Sequence, residues 1–280
     1  MEQTIITHFI CPALQAPPSS LSFVNQFAFR PTGSPTAAII SFLDPVTKLL
    51  LTNHYVVVIS LDFSKTFDQV RHSTLMPKVA SLDIPDKVYN LMVDFFDGHS
   101  HFTFCNGTKS IFKDNTASII QGSSIGPAAY VINTCDLQVV TPHNFVCKFA
   151  DDTYLIIPAS NIHSRPAEMN NTQTWATVNN LTLNCEKSCS SIRSIDVILM
   201  LQQNFENRNL ARVDSLKILG VTFSRNLSAS EHIGNILKFC SQSMYALHLL
   251  RAHGMCDAAI QTIFRSVIIA KLTYAPSAWR

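Results

Sequence analysis

Apolar positions in this chain fall into short unbroken runs and longer spaced patterns. The run Tyr55-Val56-Val57-Val58-Ile59-Ser60-Leu61 is short and rich in β-branched residues, which predicts a buried strand. Asn144-Phe145-Val146-Cys147-Lys148 and Thr153-Tyr154-Leu155-Ile156-Ile157 flank a tight polar pair, Asp151-Asp152, and predict a β-hairpin. A second hairpin is predicted where Phe102–Cys105 and Thr108–Phe112 flank Asn106-Gly107. Helical spacing covers residues 1–11 and is expected to stop at Pro12. Ser34-Pro35 supplies an N-cap and first helical position for a helix running toward Leu51, with a bend at Pro45. Further helices are predicted from His72 to about Leu82 and from Pro85 to about Phe96. The second of these puts Val88, Leu91, Met92, Phe95 and Phe96 on one face. A strand through Ile119-Ile120 is expected to enter the glycine-bearing turn Gln121-Gly122, followed by a helix from Ser124 to Leu137. Ser164-Arg165-Pro166 opens a helix reaching about Asn179, and two helices over about 230–251 and 255–270 close the chain. The mixture is α/β.

Composition narrows the class. A chain of 280 residues holds one large domain or two small ones. Hydrophobic residues make up 47% and charged ones 14%, against a usual charged share near 25%, so the chain is globular rather than disordered. A net charge of +2 and a pI of about 8.1 fall short of the pI above about 9 that marks a basic nucleic-acid binder. Charge is uneven, however. Residues 231–280 carry Lys238, Arg251, Arg265, Lys271 and Arg280 against Glu231 and Asp257, a mild fit to a backbone-gripping end. Eight cysteines include no Cys-x-x-Cys pair, and no secretory segment is present, so reduced intracellular thiols are expected. The spacings Cys185/Cys189 and His99/His101 lack a second ligand pair, which argues against zinc. No apolar run approaches the roughly 18 residues that span a bilayer, since Arg265 interrupts Ile260–Ala270. Nucleus and cytoplasm are not distinguished.

Two adjacent acids at a turn repel each other, and a hard divalent cation with oxygen ligands offsets that repulsion. The ordinary alternative is a solvated turn. A third acid, Asp62, ends the Tyr55 strand earlier in the chain. In order, the sequence presents strand-Asp62, then Gln121-Gly122, then Asp151-Asp152, then Lys187 and Leu219-Gly220. This order resembles the palm of a reverse transcriptase, of the non-LTR (LINE-type, jockey-like) retrotransposon group. The resemblance runs from about residue 23 to the end and rests on five short motifs in sequence. It is poorest over Ser188–Asn209.

The resemblance implies a right-hand polymerase palm with partial fingers over 1–54. The palm itself covers 55–229, with inserted fingers helices at about 72–115, and a truncated helical thumb-like segment covers 230–280. It implies RNA-directed DNA polymerisation by two-metal nucleotidyl transfer, with Mg²⁺ or Mn²⁺ as two ions. The implied partners are an RNA template, a DNA primer and deoxynucleoside triphosphates. Asp62 and Asp151 bridge the metals, Asp152 supports them, and the Phe63 carbonyl adds a ligand. Lys65 sits near the triphosphate, and Phe67 matches the aromatic gate that rejects a ribose 2′-hydroxyl. Gln121 and Gly122 let backbone approach the nucleotide. Lys187 matches the proton donor to pyrophosphate, Arg30 an arginine facing template or nucleotide, and Leu219-Gly220 the primer grip. Phe67 argues against an RNA-dependent RNA polymerase. Set against the resemblance, the leading fingers segment, an endonuclease domain and sequence beyond Trp279-Arg280 are expected features that these 280 residues do not include. The rival expectation is therefore an inactive remnant that at most binds nucleic acid.

Overall fold

A computed structural model describes residues 1–30, 33–98, 100–114, 116–120, 122–184, 189–194 and 211–278. Its centre is a sheet of β1 (Tyr55–Leu61), β2 (Phe145–Phe149), β3 (Asp152–Pro158), β4 (Cys189–Ser194) and β5 (Ala211–Arg212), ordered β5-β4-β1-β3-β2. β1 lies between β3 and β4 and is antiparallel to both.

Side chains alternate across a strand, and both faces of β1 are buried. Val56 and Val58 join a core with Ile39, Phe42 and Val46 of helix α1 (Pro35–Leu50). Leu216, Ile218, Val221 and Phe223 close that core from the hairpin of β6 (Ser215–Ile218) and β7 (Val221–Ser224). Helices α2 (His72–Ala80), α3 (Asp86–Phe96) and α4 (Ile125–Asn133) pack with the N-terminal helix, residues 2–15, around Ile10, Leu14, Leu75, Met92 and Tyr130. Val57, Ile59 and Leu61 face the other way, toward Trp175 and Ala176 of α5 (Arg165–Val178). Burial on both sides is why β1 reads as an unbroken apolar run. The long helix α6 (Ser230–Ala252) forms a separate small core with Ile268 through Ile236, Cys240 and Leu247.

The expected hairpins and most helices are present, and Ser34 does cap α1, accepting the Ala37 N–H at 3.0 Å. Three local expectations change. The first helix passes through Pro12 to Gln15, because a wide π-turn over Ile6–Ile10 opens the ladder ahead of the residue that has no N–H to give. Ile119-Ile120 forms no strand. The segment facing it, after Phe67, is curled into the helical turn Thr66–Gln69, so a single bridge, Arg71 to Ala117, takes the place of a ladder. The stretch after Lys187, a poor match to the family, supplies β4, the direct neighbour of β1. Residues 195–210, with Asp196–Met200, lie outside the described residues. Among the described residues no helix is long and apolar enough to cross a membrane.

Candidate active site

Strand register decides where the acids go. Leu61 of β1 pairs with Thr153 of β3, so the next positions in that register, Asp62 and Asp152, fall together at one end of the sheet. Asp62 is held there by Asn184. The Asn184 N–H donates to the Asp62 carbonyl at 2.8 Å, and its Nδ2 donates to Oδ2 at 3.1 Å. Asn184 is delivered by a two-residue pairing of Phe63–Ser64 with Thr182–Leu183. Beyond Ser64 the chain turns sharply through Lys65, at φ +48°, into the Thr66–Gln69 turn. The curl leaves an open cleft of about 480 Å³, lined by the chain from Asp62 to Asp68 with Asp151 and Asn184. That volume suits a small-molecule ligand. Asp62, Phe63, Lys65, Phe67 and Asp151 all share the cleft.

The Asp-Asp hairpin turns tightly. Phe149 pairs with Asp152, leaving Ala150 and Asp151 as the turn, with Ala150 at φ +54°. A left-handed alanine costs about 1 kcal/mol or more. Gln26 supports it: its buried Oε1 accepts the N–H groups of Ala150 and Ala28, each at 3.1 Å. The Gln26 segment also bridges β2, where the Phe27 N–H donates to the Lys148 carbonyl at 2.9 Å. Beneath the turn the buried Lys148 ammonium donates to the carbonyls of Thr134 and Leu137, at 2.6 and 3.0 Å. Burial pushes that lysine down to about 7.

The acids feel one another. Asp152 keeps some solvent contact, yet crowding by protein, then the charges of Asp151 and Asp62, push its carboxyl up to about 6. Burial, then the charges of Asp151 and Asp152, holds the Tyr130 hydroxyl well above the usual phenol range. Carboxylates and a backbone carbonyl are the all-oxygen donor chemistry that suits a hard divalent cation, and a cation beside Asp62, Asp151 and Asp152 would turn their repulsion into attraction. Among the described residues no three His, Cys, Asp or Glu side chains are grouped so that they could hold a metal ion. A site completed by substrate oxygens needs no such group.

Other expected positions are dispersed. The Phe67 ring packs on Tyr130 with centroids 4.9 Å apart, forming a cleft wall with a rigid back. Gly122 adopts φ +89°, which a side chain would strain, and the following Ser123 and Ser124 both donate to the Glu2 carboxylate at 2.8 Å. Leu219 and Gly220 both have positive φ and form the β6–β7 turn, clasped by the Tyr274 hydroxyl donating to the Leu219 carbonyl at 2.6 Å. Arg30 does not line the cleft. Its guanidinium lies over Phe23 and donates to the carbonyls of Phe23, Gln26 and Leu14, tying down its own loop. Gln121, Lys187, Cys185 and His99 lie outside the described residues. Gln26, Tyr130, Lys148 and Asn184 went unnoticed in the sequence. Only Asn184 carried a signal, falling inside the block that ends at Lys187.

Comparison with known proteins follows the same lines. The profile of the family described as reverse transcriptase (RNA-dependent DNA polymerase) matches residues 5–223. The RNA-directed DNA polymerase from mobile element jockey of Drosophila melanogaster is 25% identical over 222 residues, covering 75% of this chain and 24% of the relative. The jockey enzyme of Drosophila funebris is 25% identical over 223 residues, with the same coverage. The chain thus spans about a quarter of the length of these relatives. In fold it is similar to telomerase from Candida tropicalis in complex with a fragment of telomeric RNA, at a TM-score of 0.59 and 12% identity, over 99% of this chain and 46% of that one. The sheet that carries the acids, the order of the motifs and the family match agree: this chain belongs to the reverse transcriptase (RNA-dependent DNA polymerase) family and is jockey-like within it.

Proposed function

We propose that the chain carries RNA-directed DNA polymerase chemistry, extending a primed DNA 3′ end along an RNA template with deoxynucleoside triphosphates. The observation that carries this reading is that Asp62, just past the end of β1, and Asp151, in the β2–β3 turn, share one cleft with Lys65 and Phe67 while Asp152 responds to both acids. In this reading Asp62, Asp151 and the Phe63 carbonyl hold Mg²⁺ or Mn²⁺ in two positions, with Asp152 in support. When bound, such ions acidify the attacking 3′-hydroxyl and neutralise charge on the triphosphate. Lys65 attracts the triphosphate, and Phe67, backed by Tyr130, excludes a 2′-hydroxyl. Gly122 brings backbone close to the base-bearing sugar, beside Gln121. Lys187 donates a proton to pyrophosphate, the Leu219-Gly220 turn steadies the primer, and Arg30 serves only to tie down the loop that carries Gln26. In the same reading residues 1–54 are partial fingers, 55–229 the palm and 230–280 a thumb-like segment.

Primer extension tests it directly. With an RNA template, DNA primer and Mg²⁺, Asp62→Asn and Asp151→Asn are each expected to lower incorporation by about a hundredfold or more. They are also expected to weaken Mn²⁺ binding measured by calorimetry. Extension at an unchanged rate in Asp151→Asn would overturn the assignment.

A further inference from the structure

The segment 100–114 stands apart from every core. It is a two-stranded arm in which Ser100–His101 pairs with Lys113–Asp114 and Phe104–Cys105 pairs with Thr108–Lys109, turning at Asn106-Gly107. Every residue of it is exposed. The register shifts by one residue between the two halves, and the Ser110 N–H still donates to the Thr103 carbonyl at 2.9 Å, so Ile111 is the extra residue of a bulge. With that bulge, Phe102, Phe104, Phe112 and Lys109 fall on one face. The rings of Phe102 and Phe112 lie 4.9 Å apart, and the Lys109 ammonium sits 5.1 Å from the Phe102 ring centre. Phe104 and Phe112 remain 62% and 63% exposed even so.

An isolated hairpin with three open aromatic rings gains nothing for folding by displaying them. A protein partner is a poor match for this face. The centre of a protein interface is depleted of charge, and Lys109 is set among the rings, where an apolar partner would strip its water without pairing it. An unpaired nucleic-acid strand matches both features at once, since its bases stack on rings and its phosphates meet lysines. The root of the arm is fastened to the cleft. Its return limb bonds the cleft segment through Ile119 N–H to the Phe67 carbonyl at 2.7 Å and Ser118 N–H to the Val70 carbonyl at 2.9 Å. We propose that this arm is a stacking platform for single-stranded nucleic acid, held by Phe102, Phe104 and Phe112 with Lys109 on phosphate. This rests on the polymerase reading for its purpose, but not for its test.

The test is fluorescence anisotropy of the full chain with a labelled uridine homopolymer strand, in EDTA so that no metal or turnover is involved. Phe104→Ala and Phe112→Ala are each expected to weaken binding roughly five- to a hundredfold, and Phe104→Tyr to retain it. Lys109→Gln is expected to flatten the salt dependence by about one counterion. Melting midpoints should not move, because no arm side chain is buried. Wild-type affinity in the Phe104→Ala/Phe112→Ala double variant overturns the platform. So does an equal loss of affinity for a blunt duplex. A fall from dimer to monomer in sedimentation with strand affinity unchanged also overturns it, and makes the face a contact between copies. Asp151→Asn is expected to bind the strand normally, so failure of the platform and failure of the polymerase reading are told apart.

Discussion

Gln26 and Ala150 lie 124 residues apart in the chain, yet the Gln26 Oε1 accepts the Ala150 N–H at 3.1 Å. The turn that presents Asp151 is thereby shaped from the N-terminal loop. Gln26→Met is expected to leave the buried Ala28 N–H and the half-buried Ala150 N–H without their acceptor and to cost about 1–2 kcal/mol in urea unfolding. Incorporation rate should fall further than stability alone explains, with triphosphate KM little changed. A variant as stable and active as the parent would show that the turn holds itself.

Asn184 positions Asp62 by two hydrogen bonds, one from backbone and one from side chain. Asn184→Ala keeps the first and removes the second. The expected result is a several-fold rise in the Mg²⁺ concentration needed for half-maximal extension, with a stability loss of about 1 kcal/mol. An unshifted Mg²⁺ curve would reduce Asn184 to a fold contact.

Phe67 packs on Tyr130 and lines the cleft. Phe67→Ala should let ribonucleotides in, read as a lower ratio of deoxy- to ribonucleotide kcat/KM. If the ratio stays as in the parent, the ring is core filling and the gate lies elsewhere.

Lys148 gives the alkaline side of the stability curve a definite sign. In the unfolded chain the ammonium keeps its proton to about 10.5, whereas burial brings it down to about 7 in the fold. Between those values the unfolded state binds more protons, so this group's contribution to stability rises with pH and is lost as pH falls through about 7. Lys148→Met should remove that rise, at most about 1.4 kcal/mol per pH unit in the parent. Parallel stability curves for parent and variant from pH 7 to 10 would disprove it.

Much of this was legible in the sequence because it is local. The unbroken run before Asp62 and the two runs around Asp151-Asp152 specify strands by composition and a hairpin by spacing, and register then brings the acids together. What escaped notice is long-range. Gln26, Tyr130 and Lys148 become meaningful only when loop, helix and strand meet, and none sits in a pattern that announces a contact so far along the chain. Pro12 misled for a related reason. Proline forbids one hydrogen bond rather than a helix, and a π-turn upstream absorbed the defect. Arg30 is a different case: its cation is consumed by nearby carbonyls, a use that a motif position does not reveal.

The Glu2 carboxylate that receives Ser123 and Ser124 sits where the dipole of α4 favours negative charge. That makes the first helical turn a latch on the loop after Gly122. A change at Glu2 therefore becomes a change in the loop after Gly122. Glu2→Ala would release the Ser123 hydroxyl and the Ser124 N–H together, so one substitution in the first helix acts as two in the loop ahead of α4.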